Sequence, residues 1–268
     1  MKKLEGKVAI ISGGSGGAGT EISKLYASEG ANVIIAARGE RSADALVKEI
    51  RDNGGEATFV KTNVESEEQI KACVDFAVEK YGTVDILVNI ACIMSLDTGY
   101  LHECSIEDFD KDIAINLRSG FLFCKHVLPI MDKNSKGVIV NFSSIGGSHG
   151  ILGHTVYGAA KAGVESMTRS ITAQYGKKGI RCNCIRPGVM SNPTWADTPE
   201  INWYKDFMLS HMPCPRLGTG GDAAPLALFL ASDDSYYVNG QVITLDGGMT
   251  SHQPQWKEDM ALSSDSVR

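Results

Sequence analysis

The run Lys7-Val-Ala-Ile-Ile-Ser12 ends directly on Gly13-Gly14-Ser15-Gly16-Gly17-Ala18-Gly19, and no other stretch constrains the fold as much. The apolar run is short and rich in β-branched residues, as a buried strand is. Beyond the glycines, Ile22, Leu25 and Tyr26 recur at helical spacing. Strand, glycine loop and helix, in that order, present unpaired backbone N–H groups and a helix N-terminus to a phosphate. A flexible linker is the competing reading, but its place between a strand and an amphipathic helix argues against it. The glycines read as a pyrophosphate cradle.

The same alternation continues along the chain. Asn32-Val-Ile-Ile-Ala-Ala-Arg38 is a second strand, apolar throughout as a parallel strand covered on both faces must be. A helix is expected over about Ala43 to Asn53, stopped by Gly54-Gly55, then a strand over Glu56 to Lys61. Ser66 opens a helix that runs to Tyr81 and closes on Gly82. Strands at Asp85 to Ile90 and Gly137 to Ser143 bracket a long helix from about Ser105 to Met131. A helix carrying Tyr157, a strand from Ile180 to Ile185, a helix near Asp222 to Ser232 and a strand from Gln241 to Leu245 complete the series. Alternating β and α elements imply right-handed crossovers and a parallel sheet. The expected fold is α/β: a single-domain, Rossmann-type doubly wound sheet of about seven strands with helices on both faces. Residues 1–250 form the expected dinucleotide-binding catalytic domain and 251–268 a C-terminal tail.

Composition narrows the partners. Hydrophobic residues at 43% against 22% charged describe a soluble globular chain, and a net charge of −6 argues against a nucleic-acid backbone as partner. The opening apolar run is too short for a signal peptide or a membrane span, so a cytoplasmic location and no membrane partner are expected. The cysteines, Cys73, Cys92, Cys104, Cys124, Cys182, Cys184 and Cys214, are odd in number and form no CxxC. Cys182 and Cys184 point to one face of a strand that could in principle hold a metal. Buried free thiols are the favoured reading, with no disulfide and no structural metal.

Two further features carry chemistry. In a dinucleotide fold the carboxyl end of the second strand meets the adenosine ribose, where a carboxylate favours NAD and an arginine a 2′-phosphate. Here Ala37 is followed by Arg38, with Arg41 close behind and no carboxylate at the strand end, so NADP(H) is favoured over NAD(H). A merely solvated Arg38 is the alternative. Tyr157 and Lys161 lie four residues apart on one helix face among Ala159, Ala160, Ala162 and Gly163. A fixed ammonium beside a phenol favours phenolate and suits the tyrosine to acid–base work near neutral pH.

In these motifs and their order, over nearly the whole chain, the sequence resembles the classical short-chain dehydrogenase/reductase family. The family's TGxxxGxG is similar to Ser12 through Gly19, its YxxxK to Tyr157 and Lys161, and its Pro-Gly to Pro187-Gly188. Asp246-Gly247-Gly248 resembles its C-terminal signature. The resemblance implies four catalytic residues: Asn116 in Ile-Asn-Leu, Ser144 thirteen residues before the tyrosine, Tyr157 and Lys161. Tyr157 would exchange a proton with the substrate oxygen and Ser144 would hydrogen-bond that oxygen. Lys161 would lower the phenol pKa and bind the nicotinamide ribose, and Asn116 would hold a water linking Lys161 to solvent. Cofactor contacts are implied at Ser12, Gly13, Ser15, Gly16, Gly17, Ala18, Gly19, Arg38, Asn63, Val64, Asn89, Ala91, Tyr157, Lys161, Pro187, Gly188 and Met190. The chain departs from the family at Asn89-Ile90-Ala91-Cys92 (for NNAG), at Asn63 (for an acidic residue), at Gly16 (for a basic one) and at Asn192 with Thr194 two residues on (for a threonine).

In this family the segment after Pro-Gly closes the substrate pocket, so the resemblance implies a substrate lid at about 190–215. Here it contains Trp195, Trp203, Tyr204, Phe207, Met208 and Met212. Met94, Leu96, Ile145, His149 and His154 are expected to line the same cavity. Such a pocket suits a bulky alicyclic alcohol or ketone, such as a hydroxysteroid or bile acid. Two readings compete locally: the lid residues pack on the body or another subunit, and the two histidines are ordinary loop residues. At the level of function the alternatives are a 3-oxoacyl-(acyl-carrier-protein) reductase and a catalytically silent nucleotide-binding sensor. The first calls for a basic patch, for which Lys177 and Lys178 are the candidates; the intact catalytic set weighs against the second. The resemblance also implies a homo-oligomer, a tetramer or dimer.

Overall fold

The computed structural model describes residues 2–94, 99–191 and 195–252, so that Leu96, Asn192, Thr194 and the tail from 253 lie outside the described residues. The element order is β1 (Val8–Ser12), α1 (Gly17–Ser28), β2 (Asn32–Ala37), α2 (Glu40–Asp52), β3 (Glu56–Lys61), α3 (Glu67–Tyr81) and β4 (Ile86–Asn89). Then come α4 (Ile106–Ile113), α5 (Ser119–Asn134), β5 (Gly137–Phe142), α6 (Thr155–Tyr175), β6 (Ile180–Pro187), α7 (Pro199–Ser210), α8 (Gly220–Ala231) and β7 (Val242–Leu245).

The strands form one seven-stranded sheet in the order β3-β2-β1-β4-β5-β6-β7, and every pairing is parallel. Apolar runs without alternation follow from this, because each strand is covered twice. Ala9 and Ile11 of β1 join the core beneath α1, α2 and α8, while Val8 and Ile10 join the core beneath α3 and α5. β2 divides likewise, Val33 and Ile35 to the first core and Ile34 and Ala36 to the second. Chain order reverses between β1 and β4, so a crevice opens at their carboxyl ends, where doubly wound sheets bind ligands.

Three expected boundaries are corrected. α2 begins at Glu40 rather than Ala43, directly after the arginine-bearing loop. β6 continues past Ile185 to Pro187, because β7 pairs with it as far as Pro187↔Leu245. The single long helix expected from Ser105 to Met131 is α4 and α5 joined through a π-helical turn, Ala114–Arg118, and it runs on to Asn134. The segment expected as a lid contains a helix, α7, that apolar content alone did not disclose. Its signal is Thr198-Pro199: the Thr198 hydroxyl accepts from Ile201 N–H at 3.4 Å and proline occupies the first turn. Among the described residues no helix is long and apolar enough to cross a membrane.

Candidate active site

A cleft of about 520 Å³ opens at the switch point. Gly13, Ser15, Gly16, Gly17 and Ala18 form one wall, Arg38, Thr62 and Val64 another, and Ala91, Tyr157, Lys161, Pro187 and Met190 continue it toward the β5 side. Gly13 has φ +74°, and a Cβ there would sit 2.9 Å from Ala91 Cα, so only glycine lets the loop close against the segment after β4. Ser12 ties the same two segments, its hydroxyl accepting from Ala91 N–H at 3.3 Å. Gly17 and Ala18 open α1, whose first-turn N–H groups helical bonding leaves unpaired. Gly16 provides no side-chain cap for them, and the first turn has no acidic residue. The Cβ position of Gly17 has no atom within 4 Å, so the cradle is open where an anion would lie.

At the far end of this wall Arg38 is exposed and makes no ion pair among the described residues, with Gly39 and Ser42 beside it in the cleft. Sequence reasoning missed Ser42, although its place in the first turn of a helix just after Arg38 was a usable signal. The guanidinium, which has no ion-pair partner among the described residues, and the first-turn N–H groups fit a phosphorylated dinucleotide, with the Ser42 hydroxyl, here donating to Gly39 O at 3.1 Å, beside them.

Five implied cofactor residues, Ser12, Gly19, Asn63, Asn89 and Gly188, do not line the cleft. Asn63 closes an Asx turn, its Oδ1 accepting from Glu65 N–H at 3.2 Å, while Thr62 and Val64 on either side reach the cleft. Asn89 is buried beneath the cleft, donating from Nδ2 to Asn141 Oδ1 at 2.9 Å; Asn141 in turn donates to Thr168 at 2.9 Å. Gly188 lies against Asp246, where a Cβ would come within 2.7 Å of the aspartate's own Cβ. The Pro-Gly turn and the Asp246-Gly247-Gly248 turn are thus packed on each other.

Ser144 follows the end of β5, and Tyr157 and Lys161 lie in the first two turns of α6, buried at 8% and 3% exposure. Burial pushes the Tyr157 phenol up to about 12, with Cys92 and Asp112 adding to the rise and the neighbouring Ser144 hydroxyl working to lower it. The expected lowering by Lys161 is therefore corrected. Lys161 Nζ stands 5.6 Å from the tyrosine ring centroid and donates to Phe142 O at 3.1 Å, so its charge is directed at a carbonyl rather than at the phenol oxygen. In the protein alone Tyr157 is a neutral proton donor.

The π-helical turn brings Asn116 into the same assembly. The widened turn swings its carboxamide inward, where Oδ1 accepts from Ile93 N–H at 3.1 Å. This bond orients the amide, and Asn116 Nδ2 and Asn89 Oδ1 are left without partners among the described residues. Both residues line a small void of about 10 Å³ that also touches Ser12 and Lys161, a volume that takes about one water.

The residues expected on the substrate side are more dispersed. Met94, at 57% exposure, stands on the open side of the loop after β4. Ile145 is half-buried next to Ser144, His149 is exposed and bonded to Ser148 Oγ at 2.9 Å, and His154 precedes α6 as its cap residue. Trp203 and Phe207 stack on each other, centroids 5.3 Å apart, on the exposed side of α7. Trp195 packs edge-on against Tyr204 at 5.8 Å, and Met208 is half-buried. None of these eight lines the cleft described above. All seven cysteines are unpaired, and Cys182 and Cys184 are buried; among the described residues no three His, Cys, Asp or Glu side chains are grouped to hold a metal.

The profile of the family described as "Enoyl-(Acyl carrier protein) reductase" matches residues 13–250. The chain is 40% identical to a 3-oxoacyl-[acyl-carrier-protein] reductase of Thermotoga maritima, over 92% of this chain and 99% of that one. It is 35% identical to a 7alpha-hydroxysteroid dehydrogenase of Clostridium sardiniense, over 96% and 98%. Among solved structures it is similar to a Burkholderia xenovorans protein assigned to the short-chain dehydrogenases/reductases, with a TM-score of 0.88, 34% identity and coverage of 94% and 100%.

Proposed function

The chain belongs to the short-chain dehydrogenase/reductase family, an oxidoreductase acting on CH–OH groups with a nicotinamide cofactor, and we propose that it interconverts a secondary alcohol and a ketone on a bulky alicyclic substrate with NADP(H). One observation carries this reading: Tyr157 and Lys161 open into the same cleft as the glycine cradle and Arg38. The nicotinamide, when bound, supplies or accepts the hydride. Gly17, Ala18 and Ser15 would hold the pyrophosphate, Arg38 and Ser42 the 2′-phosphate. Tyr157, neutral and desolvated, delivers its proton to the ketone oxygen. Ser144 shares a hydrogen bond with that oxygen and stabilises the charge growing on it. Lys161, anchored on Phe142 O, keeps a positive charge beneath the tyrosine, and Asn116 Nδ2 offers a seat for a water that re-supplies the proton. The proposed catalytic domain is residues 1–250, with a lid at about 190–215.

The hydroxysteroid or bile-acid reading is supported by the 7alpha-hydroxysteroid dehydrogenase relative and by the aromatic and methionine content of α7 and its flanks. A 3-oxoacyl thioester is the second reading, supported by the higher identity to the Thermotoga maritima reductase. The test follows cofactor oxidation with NADPH and NADH against a 7-oxo bile acid, an acetoacetyl thioester and a simple alicyclic ketone. Turnover of the 7-oxo bile acid with NADPH in preference to the thioester is expected; the reverse preference establishes the second reading. Tyr157→Phe should lose turnover with NADPH affinity within about twofold, and an active variant would falsify the role given to Tyr157.

A further inference from the structure

Three segments meet along the cleft: the end of β5 with Ser143, the face of α6 with Tyr157 and Lys161, and the end of β6 with Pro187. Glu165 joins them. It lies four residues beyond Lys161, on the same helix face, and is 5% exposed. Its carboxylate accepts three hydrogen bonds: at Oε1 from Ser143 Oγ (2.8 Å) and Arg186 Nε (2.7 Å), and at Oε2 from Arg186 Nη2 (2.6 Å). This is a bidentate fork, the geometry that fixes orientation as well as distance. Burial works to raise the carboxyl pKa, but Arg186, Ser143 and the nearby Arg169 together hold it below the usual carboxylate range.

The neighbouring contacts make this more than an isolated ion pair. Lys161 Nζ bonds Phe142 O, the residue before Ser143, so α6 is fastened to the end of β5 at two successive residues. The second fastening continues through Arg186 into β6 and so to the Pro-Gly turn. Of the three, Ser143 lines the cleft, whereas Glu165 and Arg186 stand behind it. A buried ion pair is weak evidence for stability. What is informative is its placement at the junction of the three segments that bear the site.

We infer that Glu165 and Arg186 are positioning residues, whose bidentate pair, with the Ser143 hydroxyl, holds the Ser144-bearing end of β5 and the Pro187-Gly188 turn in register with Tyr157 and Lys161. The inference rests on the proposed roles of Tyr157 and Ser144. A misplacement of about 1 Å costs on the order of a hundredfold in rate when reacting groups must be aligned, so a partly loosened clamp is read in kcat.

The test uses Arg186→Lys, which keeps the charge and loses the fork, Glu165→Gln, which keeps the shape, and Ser143→Ala, which removes one donor and leaves the ion pair whole. Each is measured for kcat and KM with NADPH and whichever of the 7-oxo bile acid, acetoacetyl thioester and alicyclic ketone the wild-type chain reduces fastest. NADPH affinity is read by fluorescence titration and folding by circular dichroism. Arg186→Lys and Glu165→Gln are expected to lose about tenfold or more in kcat and Ser143→Ala about threefold, with NADPH affinity within about twofold and the fold intact. If Glu165→Gln does not fold, the other two variants decide. The inference is overturned if folded Arg186→Lys and Ser143→Ala both keep kcat within twofold of wild type, or if kcat falls only in step with the folded fraction. Tyr157→Phe separates the two ideas: an inactive Tyr157→Phe beside fully active clamp variants sinks the clamp alone. An active Tyr157→Phe, or a wild-type chain that reduces none of the three ketones, sinks the reading beneath it.

Discussion

Gly17→Ala separates what the glycine loop does for the fold from what it does for the cofactor. Gly17 has φ +40°, left-handed backbone that costs a residue with a Cβ about 1–2 kcal/mol. No steric term adds to this, because the new Cβ meets nothing within 4 Å. For a domain of this size the melting temperature should fall by about 2–8 °C. The open space is the cleft, so the methyl stands where a phosphate would approach the first-turn N–H groups of α1. Losing one charge-assisted hydrogen bond costs about 1.5–3 kcal/mol, or roughly 10- to 150-fold in NADPH affinity at 1.4 kcal/mol per factor of ten. Gly19→Ala is the contrast. Its Cβ would lie 2.2 Å from Gly13 O and 3.0 Å from Gly14 Cα, so backbone must shift, and the cost falls on stability, about 1–3 kcal/mol or more. Fluorescence titration with NADPH and thermal melts on both variants provide the readout. A folded Gly17→Ala chain that binds NADPH within twofold of wild type refutes the cradle reading.

Arg38→Ala should weaken NADPH by about 10- to 100-fold and leave NADH nearly unchanged, since only the former carries a 2′-phosphate; equal weakening of both removes Arg38 from cofactor choice. Tyr157 should ionise late. Burial lifts its pKa from 10 to about 12, so the neutral phenol's contribution to stability is complete below pH 10 and lost as pH rises through about 12. The groups facing it (Cys92, Asp112, Ser144 and Lys161) leave that direction unchanged. Absorbance at 295 nm, wild type minus Tyr157→Phe, should show no step below about pH 11, and a step near pH 8 would mean that Lys161 governs the phenol after all. Tyr26→Phe removes a buried hydroxyl that donates to Ala227 O at 2.8 Å and joins α1 to α8. Urea unfolding should register a loss of about 1–3 kcal/mol with NADPH affinity unchanged, and an unshifted midpoint would show that the bond contributes nothing net.

What the chain discloses by itself is what depends on near neighbours. The glycine loop between an apolar run and a helical repeat, the parallel sheet implied by unbroken alternation, and Tyr157 one helical turn from Lys161 all rest on spacings of a few residues. The structure reproduces the sheet and opens the cradle, Tyr157 and Lys161 into one cleft. Side-chain direction is a different matter, because it is set by packing between elements far apart in sequence. Lys161 points to Phe142 O because β5 passes beneath α6, and burial rather than the ammonium then governs Tyr157. Asn116 faces the site because a π-helical turn meets the Ile93 N–H, and Asn89 faces away because Asn141 lies opposite it in the sheet register. Glu165 and Arg186 are ordinary charged residues until the sheet brings a β6 end against α6. Local patterns determined which chemistry the chain carries; only the tertiary contacts decided where each group aims and how its charge is held, since those depend on the partner across the gap and on the water that folding removes.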